Sequence, residues 1–119
     1  MIQPEVVFKK MYPAGNERPH ALVWKVDPEL PYFNGHFPQS PILPAIAIID
    51  ASTYLLQQIL NSPNLRVKKV IAAKFLSPIQ PNQTVHIELQ KQSENEWQID
   101  WKNGAEPEAQ LVATLRVQL

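Results

Sequence analysis

The chain has 119 residues, with 11 basic and 11 acidic side chains and a hydrophobic fraction of 45%. That length suits a single domain, residues 1–119, with its own packed core, and a net charge of zero supplies no positive field for a general nucleic-acid binder. The absence of cysteine excludes a disulfide framework, a thiol nucleophile and a cysteine-based metal site.

Taken in chain order, Glu5 to Tyr12 is a first candidate strand. From Ala21 to Val26 apolar residues alternate, so Leu22, Trp24 and Val26 share one face of a strand. Pro28 and Pro31 break it, and a loop rich in aromatics and proline runs from Tyr32 to Pro41. Pro44 suits a first helical position. The helix is expected to run to about Leu60 and to stop at Asn61-Ser62-Pro63-Asn64. Its opening turns, Ala45 to Ile49, are apolar on every side, which predicts burial all round. The period then changes. Val67 to Phe75 reads as a strand, Ser77 to Asn82 as a proline-punctuated bend, and Thr84 to Gln90 as a strand with Val85, Ile87 and Leu89 inward. Glu94-Asn95 turns the chain, and Trp97, Ile99 and Trp101 share the next inner face. Asn103-Gly104 is a turn signal. Leu111, Ala113, Leu115, Val117 and Leu119 form the inner face of a last strand.

A strand, one buried helix and four antiparallel strands predict an α+β fold. A strongly curved antiparallel sheet wrapped around the long central helix covers most of it, and a second copy covers the rest. Ile42 to Ala51, the longest apolar stretch, is too short for a bilayer and is interrupted by Pro44 and Asp50. Residues 1–10 lack the apolar core of a signal peptide. The expectation is a soluble cytoplasmic protein that binds neither membrane nor nucleic acid.

Two side chains carry chemistry. His36 lies in the aromatic loop just before the helix. Asp50 lies within an apolar helix, where a carboxylate without a partner costs several kcal/mol or is forced to protonate. The N–H groups after Pro44 open a helix and favour partial negative charge, such as that on a polarised carbonyl oxygen. A base, an acid and an oxyanion site are the parts needed to take a proton beside a carbonyl and expel a hydroxyl. The plainer readings stay open: His36 as a loop histidine bonded to nearby backbone, and Asp50 as a core acid satisfied by backbone or by a tyrosine hydroxyl. Tyr32 and Phe33 either gate a tunnel or pack the loop. Arg66, Lys68 and Lys69 are the densest basic cluster, which either receives an acidic carrier protein or is a solvated strand edge, the plainer reading. No histidine pair has metal-ligand spacing, so no metal or cofactor is expected.

The segment 32–51 resembles the signature of the FabA/FabZ-type 3-hydroxyacyl-[acyl-carrier-protein] dehydratases, Gly-His-Phe-Pro-Gly-x-Pro-Val-Met-Pro-Gly followed by an apolar run and Glu-Ala or Asp-Ala. Gly35, His36, Phe37, Pro38, Pro41, Pro44, Asp50 and Ala51 match it. A second block, Lys74-Phe-Leu-Ser-Pro-Ile-Gln-Pro-Asn-Gln-Thr-Val85, is similar to the family's Lys-Phe-x-x-Pro-Val-x-Pro-Gly-Asp-x-Leu. The length and the Pro-Ile-Leu-Pro run also resemble the small dehydratases of aryl polyene clusters. The resemblance implies the hot-dog fold, a homodimer or higher homo-oligomer, and removal of water from a 3-hydroxyacyl thioester on acyl carrier protein, whose acyl-phosphopantetheine is the substrate. His36 would be the base, and Asp50 of the other subunit the acid. Phe33, Phe37, Pro44, Ala45, Ile46 and Tyr54 would line the substrate site. The sequence departs from the family at Gln39 and Ala45, where it has glycine, at Tyr54, where glutamine is common, and at Asn82-Gln83, where it has Gly-Asp. The alternatives are an acyl thioesterase on the same fold and an acyl-binding or assembly protein that has lost turnover.

Overall fold

The structure, a computed structural model, describes residues 12–13, 20–33, 42–104 and 109–119. Its elements are β1 (Tyr12–Pro13), β2 (Ala21–Lys25), a short 3-10 helix (Pro31–Phe33), α1 (Ala45–Ile59), β3 (Lys69–Phe75), β4 (Thr84–Ser93), β5 (Glu96–Asn103) and β6 (Gln110–Gln118). The strands form one antiparallel sheet in the order β1-β2-β4-β5-β6-β3. The helix packs on one face of it, which is the hot-dog arrangement. Of the first candidate strand, Glu5 to Met11 lies outside the described residues, and its last residue, Tyr12, belongs to β1.

Alternation builds the inner face. Val85, Ile87 and Leu89 of β4 and Trp97, Ile99 and Trp101 of β5 are all buried, as their period of two requires. Trp24 meets Trp101 edge to face, with ring centroids 6.0 Å apart. The helix contributes Ala47, Ile48, Ala51, Leu55 and Leu56 to the same core. Its one buried polar side chain among the described residues, Ser52, is satisfied twice. The Trp101 indole N–H donates to Ser52 Oγ at 3.0 Å, and Ser52 Oγ donates to the Ile48 carbonyl at 2.7 Å. The outer face carries polar pairs instead, such as Thr114 Oγ1 donating to Asp100 at 2.6 Å and Lys102 beside Glu88 at 3.7 Å.

Three expectations are corrected. Pro44 is the N-cap of α1 and not its first residue. Its ψ of 159° is extended, while its carbonyl already accepts from the Ala47 and Ile48 N–H groups. The helix is not buried all round within one chain, because Ala45 and Ile46 stand exposed, Ile46 by 58%. Leu111 is exposed, and Val112 points inward in its place. The cause is a bulge: Trp101 pairs with Ala113 but Lys102 pairs with Leu111, so Val112 is the extra residue. One inserted residue exchanges the faces of everything before it. The Val112 carbonyl then takes the Leu76 N–H at 2.8 Å, outside the regular ladder.

The helix ends where expected, and asparagine is the reason. Asn61 takes a positive φ of 50°, which asparagine tolerates better than other side chains apart from glycine. Its N–H bonds back to the Gln58 carbonyl and the Ser62 N–H to the Gln57 carbonyl, the paired bonds of a Schellman cap.

Candidate active site

Two segments converge at the start of α1. Leu43, two residues before the helix, donates its N–H to the Ile79 carbonyl at 2.7 Å. This bond ties the first motif block to the second, 36 residues further along the chain. A groove of about 320 Å³ lies between them, lined by Ile42, Pro44, Ala45, Phe75, Leu76 and Pro78 among others. Apart from one serine, its walls are apolar. Ala45 is in helical conformation, which alanine adopts without strain. The Asn82-Gln83 turn keeps its shape without glycine: Asn82 takes a φ of 71°, and Gln83 Oε1 accepts the Gln80 N–H at 2.8 Å.

Asp50 lies on the second turn of α1, half-buried. The Tyr32 hydroxyl donates to its Oδ2 at 2.9 Å. The 3-10 helix positions that tyrosine. Leu30 and Tyr32 are buried, the Leu30 N–H bonds to the Asp27 carbonyl, and the Phe33 N–H bonds to the Leu30 carbonyl. Burial, then the hydrogen bond to Asp50, then the carboxylate charge push the Tyr32 phenol well above its ordinary value, so it stays a proton donor. The carboxylate thus has the tyrosine-hydroxyl partner that one reading of the sequence allowed. The sequence offers gating or packing for Tyr32, and nothing in its local pattern points to a residue 18 positions away.

Of the other expected site residues, Pro44 and Ala45 line the groove and Ile46 is exposed beside it. Phe33 and Tyr54 are half-buried against the core. His36 and Phe37 lie outside the described residues. The basic residues Arg66, Lys68 and Lys69 are exposed. Among the described residues no group of three potential ligands could hold a metal, and no helix is long and apolar enough to cross a membrane.

The curved antiparallel sheet packed on one long helix defines a hot-dog protein. Residues 13–115 match the ApeI-like family, described as ApeI dehydratase, and the chain belongs to that family. It is 33% identical over 66 residues to the 3-hydroxyacyl-[acyl-carrier-protein] dehydratase FabZ of Thermomicrobium roseum, covering 50% of this chain and 44% of that one. It is 31% identical over 91 residues to the FabZ of Sinorhizobium fredii, covering 70% and 58%. The chain therefore spans about half the length of the curated relatives it matches. Among solved structures, the dehydratase heterocomplex ApeI:P from Xenorhabdus doucetiae superposes with a TM-score of 0.70 at 23% identity, over 87% of this chain and 90% of that one. At that identity the likeness establishes the fold.

Proposed function

We propose that the chain removes water from 3-hydroxyacyl thioesters carried on acyl carrier protein, giving trans-2-enoyl thioesters for fatty-acid or related polyene synthesis in the cytoplasm. His36 takes the C2 proton. Asp50 of the opposite subunit gives its proton to the departing 3-hydroxyl. The observation that carries the reading is the family match across residues 13–115, which takes in the loop with His36, the helix with Asp50 and the second motif block. The geometry at the start of α1 supports it. The apolar groove beside Pro44 and Ala45 suits an acyl-phosphopantetheine arm, and the first N–H groups of the helix suit the thioester oxygen.

A homodimer supplies the second half of the site. β3 is an edge strand in which every residue is exposed, and Ile46 of the helix is uncovered. An apolar edge of that length is a template for pairing, and β3 against β3 of a second copy closes it. A purified chain that sediments as a monomer at micromolar concentration would instead call for a different partner chain, as in the ApeI:P heterocomplex.

The test is turnover of 3-hydroxyacyl thioesters, read as enoyl absorbance. Enoyl formation supports the dehydratase, free thiol without enoyl product points to a thioesterase, and binding with neither product leaves an acyl-binding protein. His36→Ala and Asp50→Asn should each lower turnover on the order of 100- to 10,000-fold, and mixed subunits should regain part of the activity. No recovery after verified exchange refutes a shared site.

A further inference from the structure

We propose that Tyr32 is the positioning residue for the acid: its hydroxyl holds Asp50 by Oδ2, so Oδ1 is the oxygen through which the proton passes to substrate. This rests on the dehydratase reading and extends it to a residue outside the expected site.

The geometry assigns the role. The Tyr32 side chain is only 6% exposed and belongs to the core, so its hydroxyl comes to Asp50 from a fixed direction. The turn of helix before Asp50 is apolar, and among the described residues no other side chain bonds to its carboxyl. One donor is enough to set the rotation of a carboxyl group and to make its two oxygens inequivalent. The bond also survives the chemistry. With the proton on Oδ1, Oδ2 is a carbonyl-type oxygen and still accepts; with Oδ1 deprotonated, it accepts more strongly. In the reaction the C2–H bond breaks toward the His36 imidazole, the C2–C3 double bond forms, and the C3–O bond breaks. The hydroxyl leaves as water with the Oδ1 proton. Tyr32 gives up no proton in any step, consistent with a phenol held protonated by burial.

Tyr32 also precedes His36 by only four residues. In a dimer with shared sites the base and the acid of one chain serve different sites, so Tyr32 stands four residues from the base of one site and holds the acid of the other.

Tyr32→Phe removes one oxygen and keeps the ring. Turnover should fall on the order of 10- to 100-fold, the cost of a displaced reacting group, with KM within about twofold. In an Asp50→Asn background the same change should cause no further loss, because the residue acts through the carboxyl. Independent, multiplying losses would overturn the proposal, as would a raised KM at unchanged kcat. Loss of folding on removing the oxygen would overturn it too, since the hydroxyl would then be structural. Absence of turnover in the unaltered chain refutes the dehydratase reading itself and this role with it. Turnover in the unaltered chain that Tyr32→Phe leaves intact removes the positioning role alone.

Discussion

β5 and β3 are both long strands of one sheet, yet they meet opposite fates. β5 reads Glu-Trp-Gln-Ile-Asp-Trp-Lys-Asn, strictly alternating, and its three apolar residues are all buried. β3 reads Lys-Val-Ile-Ala-Ala-Lys-Phe, apolar on both faces, and all seven residues are exposed. An alternating strand needs cover on one face, which the helix supplies. A strand apolar on both faces needs cover on both, as in sheets buried on two sides. One chain completes the first kind and leaves the second open, at the edge where a partner can reach it.

Substitutions can break this contrast. Trp101→Ala should destabilise the fold by ~3–5 kcal/mol in urea unfolding, at any protein concentration, because β5 is complete within the chain. A concentration-dependent loss would mean that its core extends across an interface. Ile71→Lys places like charges on the proposed β3 edge. It should raise the dimer dissociation constant at least about 100-fold in sedimentation, some ~2.7 kcal/mol, and leave the far-ultraviolet spectrum of the monomer intact. Unchanged association would move the interface elsewhere.

Smaller effects sharpen the contrast from within the core. Ser52→Ala leaves the buried Trp101 indole N–H without its acceptor and should cost ~1–3 kcal/mol. Asn61→Ala forces alanine to a φ of 50° at the helix end and should cost ~1 kcal/mol in thermal unfolding. The last test is alkaline. The folded-state value of Tyr32 lies above its ordinary 10.0, so its protonated form is favoured by folding. That contribution is complete below pH 10 and declines as pH rises further, because the unfolded chain then binds fewer protons than the folded one. Tyr32→Phe should therefore flatten the loss of stability between about pH 10 and 11. Parallel curves for the two proteins would show that another group causes the decline.

Asp50 was legible in the sequence as a carboxylate that needs a partner, because its apolar surroundings follow from helical spacing alone. Which tyrosine satisfies it was not, since the partner comes from a 3-10 turn folded onto the helix from outside it. The two motif blocks were legible separately, and the Leu43–Ile79 bond that joins them was not. The groove they enclose exists only once they are joined. Leu111 shows the limit on strands: a bulge inserts one residue and reverses the faces, and no residue type announces it.

The sequence by itself determined the periods, the stops and the chemistry-bearing residues: five alternating or apolar strands, a helix ended by Asn61, and a carboxylate within it. These follow from local rules, in which each side chain's direction depends on neighbours within a few residues. Only the tertiary structure decided that β3 crosses to the far edge beside β6, that Val112 turns inward, that Ile46 stays uncovered, and that Tyr32 bonds to Asp50. Each of those is a choice among partners distant in the chain, and it is settled by which pairing buries the most apolar surface while leaving no polar group unsatisfied.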